Sequence, residues 1–490
     1  MTSPPPPLGY DRTRLVPTVV HLGPGVFHRA HQAVYCDAVL RTGEREGAVR
    51  AISLRSGAVR DALAPKDFVY HVVERSAPAD RPTPGGATER VRTVGALLGI
   101  DVVREDHVAL SALTDPMVTV VTTTVTEYGY CSVTPGGPLD VDRPEVRHDL
   151  DSSRTPRSLP GLLVEALRLR RAAGTAPFTI ACCDNLPRNG RATARVVTDF
   201  AECCDPSLAE WIRGNVAFPS SMVDRMVPGT TDADRDRLEA AGIDDPWPVV
   251  TEPFTQWVLE DVFPSGRPRW ERAGVEFVSD VALHEQAKLR TLNAAHSALA
   301  YWGLLAGHRL VWQAATDPGL VAAVKDLLAT EVLPTLQSPP GWDLAAYAHA
   351  VLRRFANAAL PYTTAKVAGD GSQKLAVRVV PTVRARLAAG ASAPRCAQLL
   401  ASWIVCVAGP SAGGLEVVDP AVPTSPGLQT GRSDPDATTD RLLTLPGFFD
   451  PAVPRELAFV AQVRDVVRQL WGVDPPDART EPTPASVEGR

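Results

Sequence analysis

The sequence predicts an α/β Rossmann-type N-terminal domain followed by a mainly α-helical C-terminal domain. Strand-like and helix-like segments alternate through the first half of the chain, which is typical of a parallel, doubly wound sheet. After about residue 280, alanine and leucine dominate and strand-like runs become scarce. We therefore place a flexible, proline-rich arm at 1–17, the Rossmann-type domain at 18–280, the helical domain at 281–474 and a disordered tail at 475–490.

The predicted elements of the first domain begin with a β-branched run, Thr18–Gly25, that ends in glycines. A helical pattern follows over Arg29–Leu40. The further elements are a strand at Ala48–Ser56, a buried strand that begins the segment Met117–Tyr130, an amphipathic helix at Pro160–Gly174 and a buried strand at Phe178–Asn185. Continuous apolar strands of this kind indicate a parallel sheet with both faces covered.

The second domain is predicted from its long runs of alanine and leucine. Four segments have the length and composition of buried helices: Leu283–Leu310, Pro318–Leu333, Asp343–Ala359 and Ala393–Val407. The segment Val418–Asp440 is rich in proline, serine, threonine and aspartate, and we expect a long surface loop there.

Composition limits the classes of function. The 490 residues carry a formal net charge of −6, which argues against a nucleic-acid partner. No apolar run is long enough to suggest a membrane span, and the N-terminus lacks the pattern of a signal peptide. None of the eight cysteines has the C-x-x-C spacing of a zinc or redox site, so we expect free thiols, a cytoplasmic protein and no metal. The oligomeric state leaves no signal in the sequence.

The turn after the first strand predicts a dinucleotide site. Gly23 and Gly25 would let the backbone approach a pyrophosphate, with Phe27 in the following turn and Arg29 placed either to pair with a phosphate or to be solvated. The third glycine of the usual G-x-G-x-x-G motif is replaced by His28. By itself this motif is equally compatible with an ordinary tight turn.

Residues at the ends of two further strands indicate how a cofactor would bind. The second strand should end in an acid that binds the adenosine ribose, but no acid occurs before Asp61. Arg55 stands there instead and could accept a phosphate. Glu127 follows the third strand, at the edge where α/β folds bind ligands, although a surface acid at this position is also common.

Polar residues interrupt the first helix of the second domain. At 100° per residue, with Lys288 at 0°, Glu285 falls at about 60°, His296 at about 80° and Asn293 at about 140°, an arc shared with leucines. Burial lowers the pKa of a lysine, as a general base for an alcohol requires, and an asparagine can donate to the reacting oxygen. The alternatives are a lysine that reaches solvent and satisfied core polar residues.

Several segments together resemble the polyol-specific long-chain dehydrogenases, the family of mannitol 2-dehydrogenase and fructuronate reductase (mannonate oxidoreductase). The resemblance spans about residues 18–470. The segments that carry it are HLGPGVFHRAHQAVYCD (His21–Asp37), TVTEYGYC (Thr124–Cys131), CDNLPRNG (Cys183–Gly190), FPSSMVDRMVP (Phe218–Pro228), EPFTQWVLEDVF (Glu252–Phe263), KLRTLNAAHSALAY (Lys288–Tyr301) and DGSQKL (Asp370–Leu375).

This resemblance implies a metal-independent oxidoreductase with its site in a cleft between the two domains. Lys288 would be the general base, Asn185 and Asn293 would polarise the reacting oxygen, and Glu285 would gate a proton path to water. The residues that would line the substrate pocket are His296, Asp224, Lys366 and Lys374. The implied cofactor is NAD, with NADP possible and weak discrimination expected because no acid follows the second strand.

The substrate remains open between a hexitol/2-ketose pair such as mannitol/fructose and the sugar acids mannonate/fructuronate. Lys366 occupies a position where mannitol dehydrogenases carry an arginine, and a lysine cannot make the bidentate contact of an arginine. Lys366, Lys374 and Arg354 could supply charge for an acidic substrate. A nucleotide-binding sensor without catalysis and a zinc-dependent dehydrogenase are the weaker alternatives, because the lysine and asparagines are retained and no zinc-ligand spacing occurs.

Overall fold

The computed structural model describes residues 7–77, 88–104, 108–134, 136–152, 154–409, 417–422, 433–445 and 456–473. The chain forms two compact units. The first comprises Met1–Gln286 with Asn357–Leu360, and the second comprises Ala287–Ala356 with Pro361–Arg490. The predicted tail at 475–490 lies outside the described residues.

The first unit contains eleven described strands arranged in three sheets. In chain order they are β1 (Val16–Leu22), β2 (Glu46–Ser53), β3 (Tyr70–Ser76), β4 (Thr88–Val94), β5 (Leu97–Val102), β6 (Val120–Thr123), β7 (Thr179–Cys182), β8 (Ser221–Asp224), β9 (Val249–Thr251), β10 (Gln256–Glu260) and β11 (Glu276–Val278). The central sheet has the order β5-β2-β1-β6-β7, and every neighbouring pair in it is parallel. The predicted fold class is confirmed.

Both faces of the central sheet are covered, as the apolar strands indicated. Along β1, Val20 and Leu22 face one hydrophobic core, while Val19 faces another. The first core is closed by helices that include Leu159–Ala172 and Asn189–Cys204, and the second by Gln32–Leu40 together with Trp257 and Trp270. Burial on both sides explains why these strands are continuously apolar.

Two small mixed sheets, which the sequence patterns did not predict, flank the central one. In the sheet β4-β3-β9, β3 is antiparallel to β4 and parallel to β9. In the sheet β11-β10-β8, β10 is antiparallel to β8 and parallel to β11. β9 pairs with β3 about 175 residues earlier in the chain, and such distant pairing leaves little local signal.

The helices of the first unit number eleven among its described residues, apart from short 3-10 turns. They are Val26–Ala30, Gln32–Leu40, Ala58–Leu63, Val108–Thr114, Thr126–Gly129, Pro144–Asp151, Leu159–Ala172, Asn189–Cys204, Pro206–Asn215, Asp232–Ala240 and Ala282–Lys288. The helix predicted over Arg29–Leu40 is therefore two helices, which meet at His31 with φ −119° and ψ −87°.

The strand predicted at the beginning of Met117–Tyr130 is β6, which ends at Thr123, and Thr126, with a left-handed φ of +63°, opens a short helix. One boundary prediction for this unit is wrong. Residues 8–17, predicted as part of a flexible arm, are packed instead. The Tyr10 hydroxyl donates to Asp37 at 2.6 Å, Arg12 donates to the carbonyls of Gly95 and Leu97, and β1 already begins at Val16.

The second unit is helical over its described residues, as predicted. Its α-helices are Ala294–Leu305, Val311–Ala314, Pro318–Asp326, Leu344–Phe355, Thr364–Ala368, Gly371–Arg378, Val380–Ala388, Pro394–Ala408, Pro435–Leu443 and Leu457–Trp471. Two π-helical segments, Leu289–Asn293 and Leu327–Val332, interrupt the first two predicted helices. Helix Pro435–Leu443 corrects part of the predicted loop Val418–Asp440, of which 423–432 lies outside the described residues.

Helix Ala294–Leu305 is the centre of the second unit. It is buried along nearly its whole length and packs against Thr364–Ala368 and Pro394–Ala408. The Tyr301 hydroxyl donates to the carbonyl of Ala368 at 2.6 Å. A Cβ on Gly371 would lie 2.0 Å from that hydroxyl oxygen, so only glycine fits there. This packing holds the polar residues at the start of the helix in place.

Gly23 should be the least replaceable glycine of the central sheet. Its φ is +95°, and a Cβ there would lie 2.2 Å from the carbonyl oxygen of Thr124. The backbone conformation alone disfavours Gly23→Ala by roughly 1–3 kcal/mol, and the backbone clash adds to that. Calorimetric or urea unfolding should show a clear loss for Gly23→Ala.

The matched control is Gly99→Ala in β5, where a Cβ meets nothing within 4 Å. We expect this change to shift the free energy of unfolding by no more than about 1 kcal/mol. Equal effects of the two substitutions would contradict the proposed close approach at Gly23.

Candidate active site

A cavity of about 280 Å³ lies at the carboxyl ends of β1, β2 and β6. It is lined by Gly23 after β1, by Ser53–Arg55 at the end of β2, and by Val125 and Thr126 after β6. β1 lies between β2 and β6 in the sheet, and the chain crosses to opposite sides of β1 to form them. This is the topological switch point at which open α/β sheets bind ligands.

The turn after β1 has the geometry expected of a nucleotide site. The N–H of Gly23 donates to Ile52 of β2, and the N–H of Thr124 donates to Leu22, so the three strand ends meet closely. Gly25 precedes helix Val26–Ala30, is exposed, and has only the Gly23 carbonyl oxygen, at 3.9 Å, near the position of a Cβ. Phe27 is half-buried and stacks on His31, with ring centroids 5.0 Å apart.

His28, at the position of the missing third glycine, packs inside the domain. It is fully buried and stacks on His21 of β1 with ring centroids 3.5 Å apart. His21 is hydrogen-bonded to the hydroxyls of Thr122 and Thr124, at 2.7 and 2.8 Å. Burial lowers the pKa of His21 to about 3, and that of His28 also falls well below its usual value, so the stacked pair is neutral at pH 7.

Arg29 is fully buried, so the alternative of a solvated charge is wrong. Its guanidinium donates to the carbonyl of Trp247 at 2.6 Å and lies 5.5 Å from the centre of the Tyr70 ring. Arg29 does not line the cavity, whereas Arg55 does. The contact of Arg29 with a phosphate remains a prediction.

Asp184, which lies just after β7, holds the loop after β6 in place through hydrogen bonds. Its carboxylate accepts from the N–H groups of Val125 and Thr126 at 2.9 and 3.0 Å, and from the Tyr130 hydroxyl at 2.7 Å. Burial nevertheless raises the pKa of Asp184 to about 6. Because Val125 and Thr126 line the cavity, this carboxylate shapes its wall. Glu127 lies in the same loop, half-buried in helix Thr126–Gly129.

Asn185 is exposed directly after Asp184, whereas Asn189 is buried and structural. The Asn189 amide donates to the carbonyls of Asp184 and Ser221 and accepts from the N–H of Ser221. A Cβ on Gly190 would lie 2.4 Å from the carbonyl oxygen of Phe218, so the segment FPSS packs directly on this turn. Two of the resembling segments therefore meet here and present Asn185 outward.

Glu285 and Asp224 also belong to the first unit. Glu285 accepts from the backbone N–H of Arg188 at 3.0 Å, and Arg188 has a left-handed φ of +49°. Asp224 is buried at the end of β8, where it pairs with Gln256 of β10. Neither residue lines the cavity described above. Their proposed roles in proton transfer and substrate binding remain predictions.

Lys288 and Asn293 flank a π-helical turn in the second unit. In a π-helix, hydrogen bonds join residues i and i+5, so Asn293 lies about one turn beyond Lys288 instead of about 140° around the axis. Both residues are buried, at 6% and 8% exposure. The Asn293 amide oxygen is buried without a hydrogen-bond partner among the described residues. Lysine and amide therefore share one face more closely than a regular helix allows.

His296 lies among cations in the same unit. It stacks on Phe355 at 4.7 Å and meets Tyr362 edge-on. Burial, together with the nearby charges of Arg378, Lys374 and Arg354, lowers its pKa to about 3. The imidazole is therefore neutral, and the guanidinium and ammonium groups near it make this region electropositive.

The two predicted pocket lysines differ in their surroundings. Lys374 is half-buried, and its ammonium donates to the carbonyl of Val367 at 3.2 Å, whereas Lys366 is exposed on helix Thr364–Ala368. The sequence analysis missed Arg378, which donates to the hydroxyl of Ser297 at 3.0 Å and to the carbonyl of Asn293 at 3.3 Å. Its spacing of four residues from Lys374 on one helix was the signal available.

The remaining predictions about composition can be compared with the structure. All eight cysteines are free. Among the residues described, no cluster of three or more histidine, cysteine, aspartate or glutamate side chains could hold a metal ion. None of the helices in the described part of the chain is long and apolar enough to cross a membrane.

Asp184 makes the stability of the first unit depend on pH. Its folded pKa of about 6 lies above the ordinary value of 3.8, so its contribution is full below about pH 4 and is lost as the pH rises to 6. Asp184→Asn removes this titration. From pH 4 to pH 6 the variant should gain up to about 3 kcal/mol relative to the wild type, as measured by urea unfolding. Parallel stability–pH curves would show that the carboxylate does not titrate in this range.

Comparison with known proteins supports the predicted family and fold. Residues 17–272 match the mannitol dehydrogenase Rossmann domain, and residues 280–471 match the mannitol dehydrogenase C-terminal domain. D-mannonate oxidoreductase of Escherichia coli (strain K12) is 37% identical over 470 residues, with 94% of each chain covered. Mannitol 2-dehydrogenase of Cereibacter sphaeroides is 38% identical over 424 residues, with 86% of this chain and 87% of that protein covered.

A solved structure extends the similarity to three dimensions. The mannitol 2-dehydrogenase of Pseudomonas fluorescens, in a ternary complex with NAD and D-mannitol, superimposes with a TM-score of 0.84 at 36% identity, covering 94% of this chain and 93% of that one. The resemblance inferred from the sequence is confirmed, and this chain belongs to the mannitol dehydrogenase family.

Proposed function

We propose that this protein is an NAD-dependent oxidoreductase that interconverts a hexitol and its 2-ketose, as in mannitol and fructose, with Lys288 as general base and without a metal. The observation that carries the proposal is the buried pair Lys288 and Asn293 on one π-helical turn. The chain matches, over 94% of its length, a mannitol 2-dehydrogenase solved with NAD and D-mannitol.

The reaction needs a base for the hydroxyl proton and donors for the oxygen that gains charge. Lys288, which is 6% exposed, would take the proton from the alcohol. Asn293, with its amide buried, and the exposed Asn185 would hold the reacting oxygen. Glu285 would pass the proton from Lys288 to water.

The residues of the first unit fit a nicotinamide dinucleotide. The cavity at the switch point is bordered by Gly23, whose backbone only glycine can adopt, and by Arg55. Gly25 has no side chain to cover the backbone beside this turn, so a pyrophosphate could lie against that backbone. When bound, the nicotinamide accepts the hydride from the carbinol carbon. We propose residues 18–280 as this cofactor domain, residues 281–474 as the substrate domain, and a cytoplasmic location in accord with the eight free thiols.

Reduction of fructuronate to mannonate is the second candidate. Arg378, Lys374 and Arg354 all lie near His296, and a carboxylate on the substrate would pair favourably with this charge. D-mannonate oxidoreductase is 37% identical to this chain, with 94% of both chains covered.

A substrate panel separates the two candidates. Mannitol, sorbitol, arabinitol and mannonate would each be assayed with NAD and with NADP, in the presence of EDTA. A kcat/KM that is highest for mannitol supports the hexitol reaction, and one highest for mannonate supports the sugar acid. Absence of turnover with every substrate would contradict the proposed function, and loss of activity in EDTA would contradict metal independence.

Lys288→Ala should bind NAD normally and lose turnover. A general base contributes about 10²–10⁴ in rate, so kcat/KM near neutral pH should fall by at least the lower of these factors. The matched control is Lys325→Ala, an exposed lysine on helix Pro318–Asp326. Cofactor binding measured by calorimetry and kcat/KM measured by absorbance distinguish the two variants. A Lys288→Ala enzyme with nearly wild-type kcat/KM would exclude this lysine as the base.

A further inference from the structure

A second cavity, of about 550 Å³, lies in the first unit beside the one at the switch point. Three arginines line it, Arg104, Arg154 and Arg157, together with Thr155 and the apolar side chains of Leu110 and Leu162. Arg157 lines both cavities. The two spaces therefore meet at this side chain.

The position of the second cavity relates it to one end of a bound dinucleotide. Arg104 follows β5, and β5 pairs with β2, whose own end carries Arg55. In Rossmann-type folds the adenosine ribose lies at the end of the strand that corresponds to β2. The arginine cavity therefore adjoins the adenosine half of the ligand.

The charge of this region is one-sided. Among the residues that the structure describes, no carboxylate lines either cavity. The side chains of Arg55, Arg104, Arg154 and Arg157 are exposed, and none forms an ion pair within the part of the chain that the structure describes. Other arginines nearby are paired, such as Arg50 with Asp101 and Arg60 with Asp61. The guanidinium groups of these four arginines are thus exposed to solvent around the two adjoining cavities.

A phosphate monoester matches this arrangement. It carries close to two negative charges at pH 7, and guanidinium groups bind it through paired hydrogen bonds. The two nicotinamide dinucleotides differ only in the ribosyl 2′-phosphate of NADP. A carboxylate at the end of β2 would repel that phosphate, and Arg55 occupies this position instead.

We propose that Arg55, Arg104, Arg154 and Arg157 bind the 2′-phosphate of NADP, so that the protein uses NADP as well as NAD. The inference rests on the proposed function in one respect, namely that a dinucleotide occupies the cavity at the switch point. The proposed reaction gives the second cavity no role. By binding the 2′-phosphate, this cavity would determine whether the protein can use NADP.

Calorimetric titration of the full chain with 2′,5′-ADP and with 5′-AMP tests the proposal without any turnover. The wild-type protein should bind 2′,5′-ADP at least about tenfold more tightly, since charge-assisted hydrogen bonds are gained only with the extra phosphate. Arg104→Gln and Arg157→Gln should each weaken 2′,5′-ADP by about tenfold and leave 5′-AMP within about twofold. The preference should also weaken as salt is added.

The matched control is Arg45→Gln, an exposed arginine directly before β2 and so at the opposite edge of the sheet. It should leave both affinities unchanged. Equal wild-type affinity for the two nucleotides overturns the proposal. Equal weakening of both by Arg104→Gln and Arg157→Gln also overturns it, because the arginines would then serve the adenosine itself.

The substrate panel keeps this inference separate from the proposed function. Tight 2′,5′-ADP binding without turnover of any polyol or sugar acid would contradict the function and support the arginine site. Turnover with NAD together with equal binding of 2′,5′-ADP and 5′-AMP would support the function and overturn the arginine site.

Discussion

The close approach of the end of β1 to the end of β6 is the constraint on which the cofactor site depends. Gly23 lies so near the Thr124 carbonyl that a single methyl group would collide with it. The same junction is bonded by the Thr124 N–H to Leu22, by His21 to the Thr124 hydroxyl and by Asp184 to the loop after β6. Three strand ends are drawn together at this point, and the cavity opens there, at the switch point.

Buried polar groups stabilise that junction. Residues that are buried there are not available to contact a ligand, whereas their exposed neighbours are. His28 and Arg29 fall within the nucleotide motif, yet both are fully buried against other parts of the first unit. Asn189 is likewise bonded on both sides of its amide. Exposed neighbours in the same segments, such as Gly25 and Asn185, are the ones placed to meet a ligand. The same short motif therefore contains buried residues that stabilise the turn and exposed residues that could contact a ligand.

In the second unit, helix geometry and charge together define the chemistry. The π-helical turn at Leu289–Asn293 brings the lysine and the asparagine toward one face, and the close packing around Tyr301 and Gly371 holds the helix that follows. π-Helical turns cost regular hydrogen bonding and are found frequently at functional sites. Burial, helped by the nearby cations, keeps the His296 imidazole neutral, so it can exchange hydrogen bonds with a hydroxyl without adding charge.

Much of the architecture was predictable because it depends on local pattern. The alternation of apolar strands and helices predicted the parallel sheet, and the alanine- and leucine-rich segments predicted the helical second domain. The resemblance carried by segments such as CDNLPRNG and KLRTLNAAHSALAY predicted the family and named Lys288, Asn185 and Asn293. These features reside in short stretches of chain whose burial and periodicity are visible in the order of residues.

Other features depend on residues far apart in the chain, and only the tertiary structure determined them. The helical wheel at 100° per residue misplaced Asn293, because a π-turn is fixed by packing and not by composition. Burial of Arg29 depends on Trp247 and Tyr70, more than 200 and about 40 residues away respectively. Arg104 lines a cavity next to the one that Arg55 lines only because β5 pairs with β2, and Arg157 lines both cavities. The sequence by itself determined the fold class and the family and predicted the chemical groups of the site. The folded chain decided the burial, the partners and the charge environment of these groups, since they arise from contacts that no local pattern encodes.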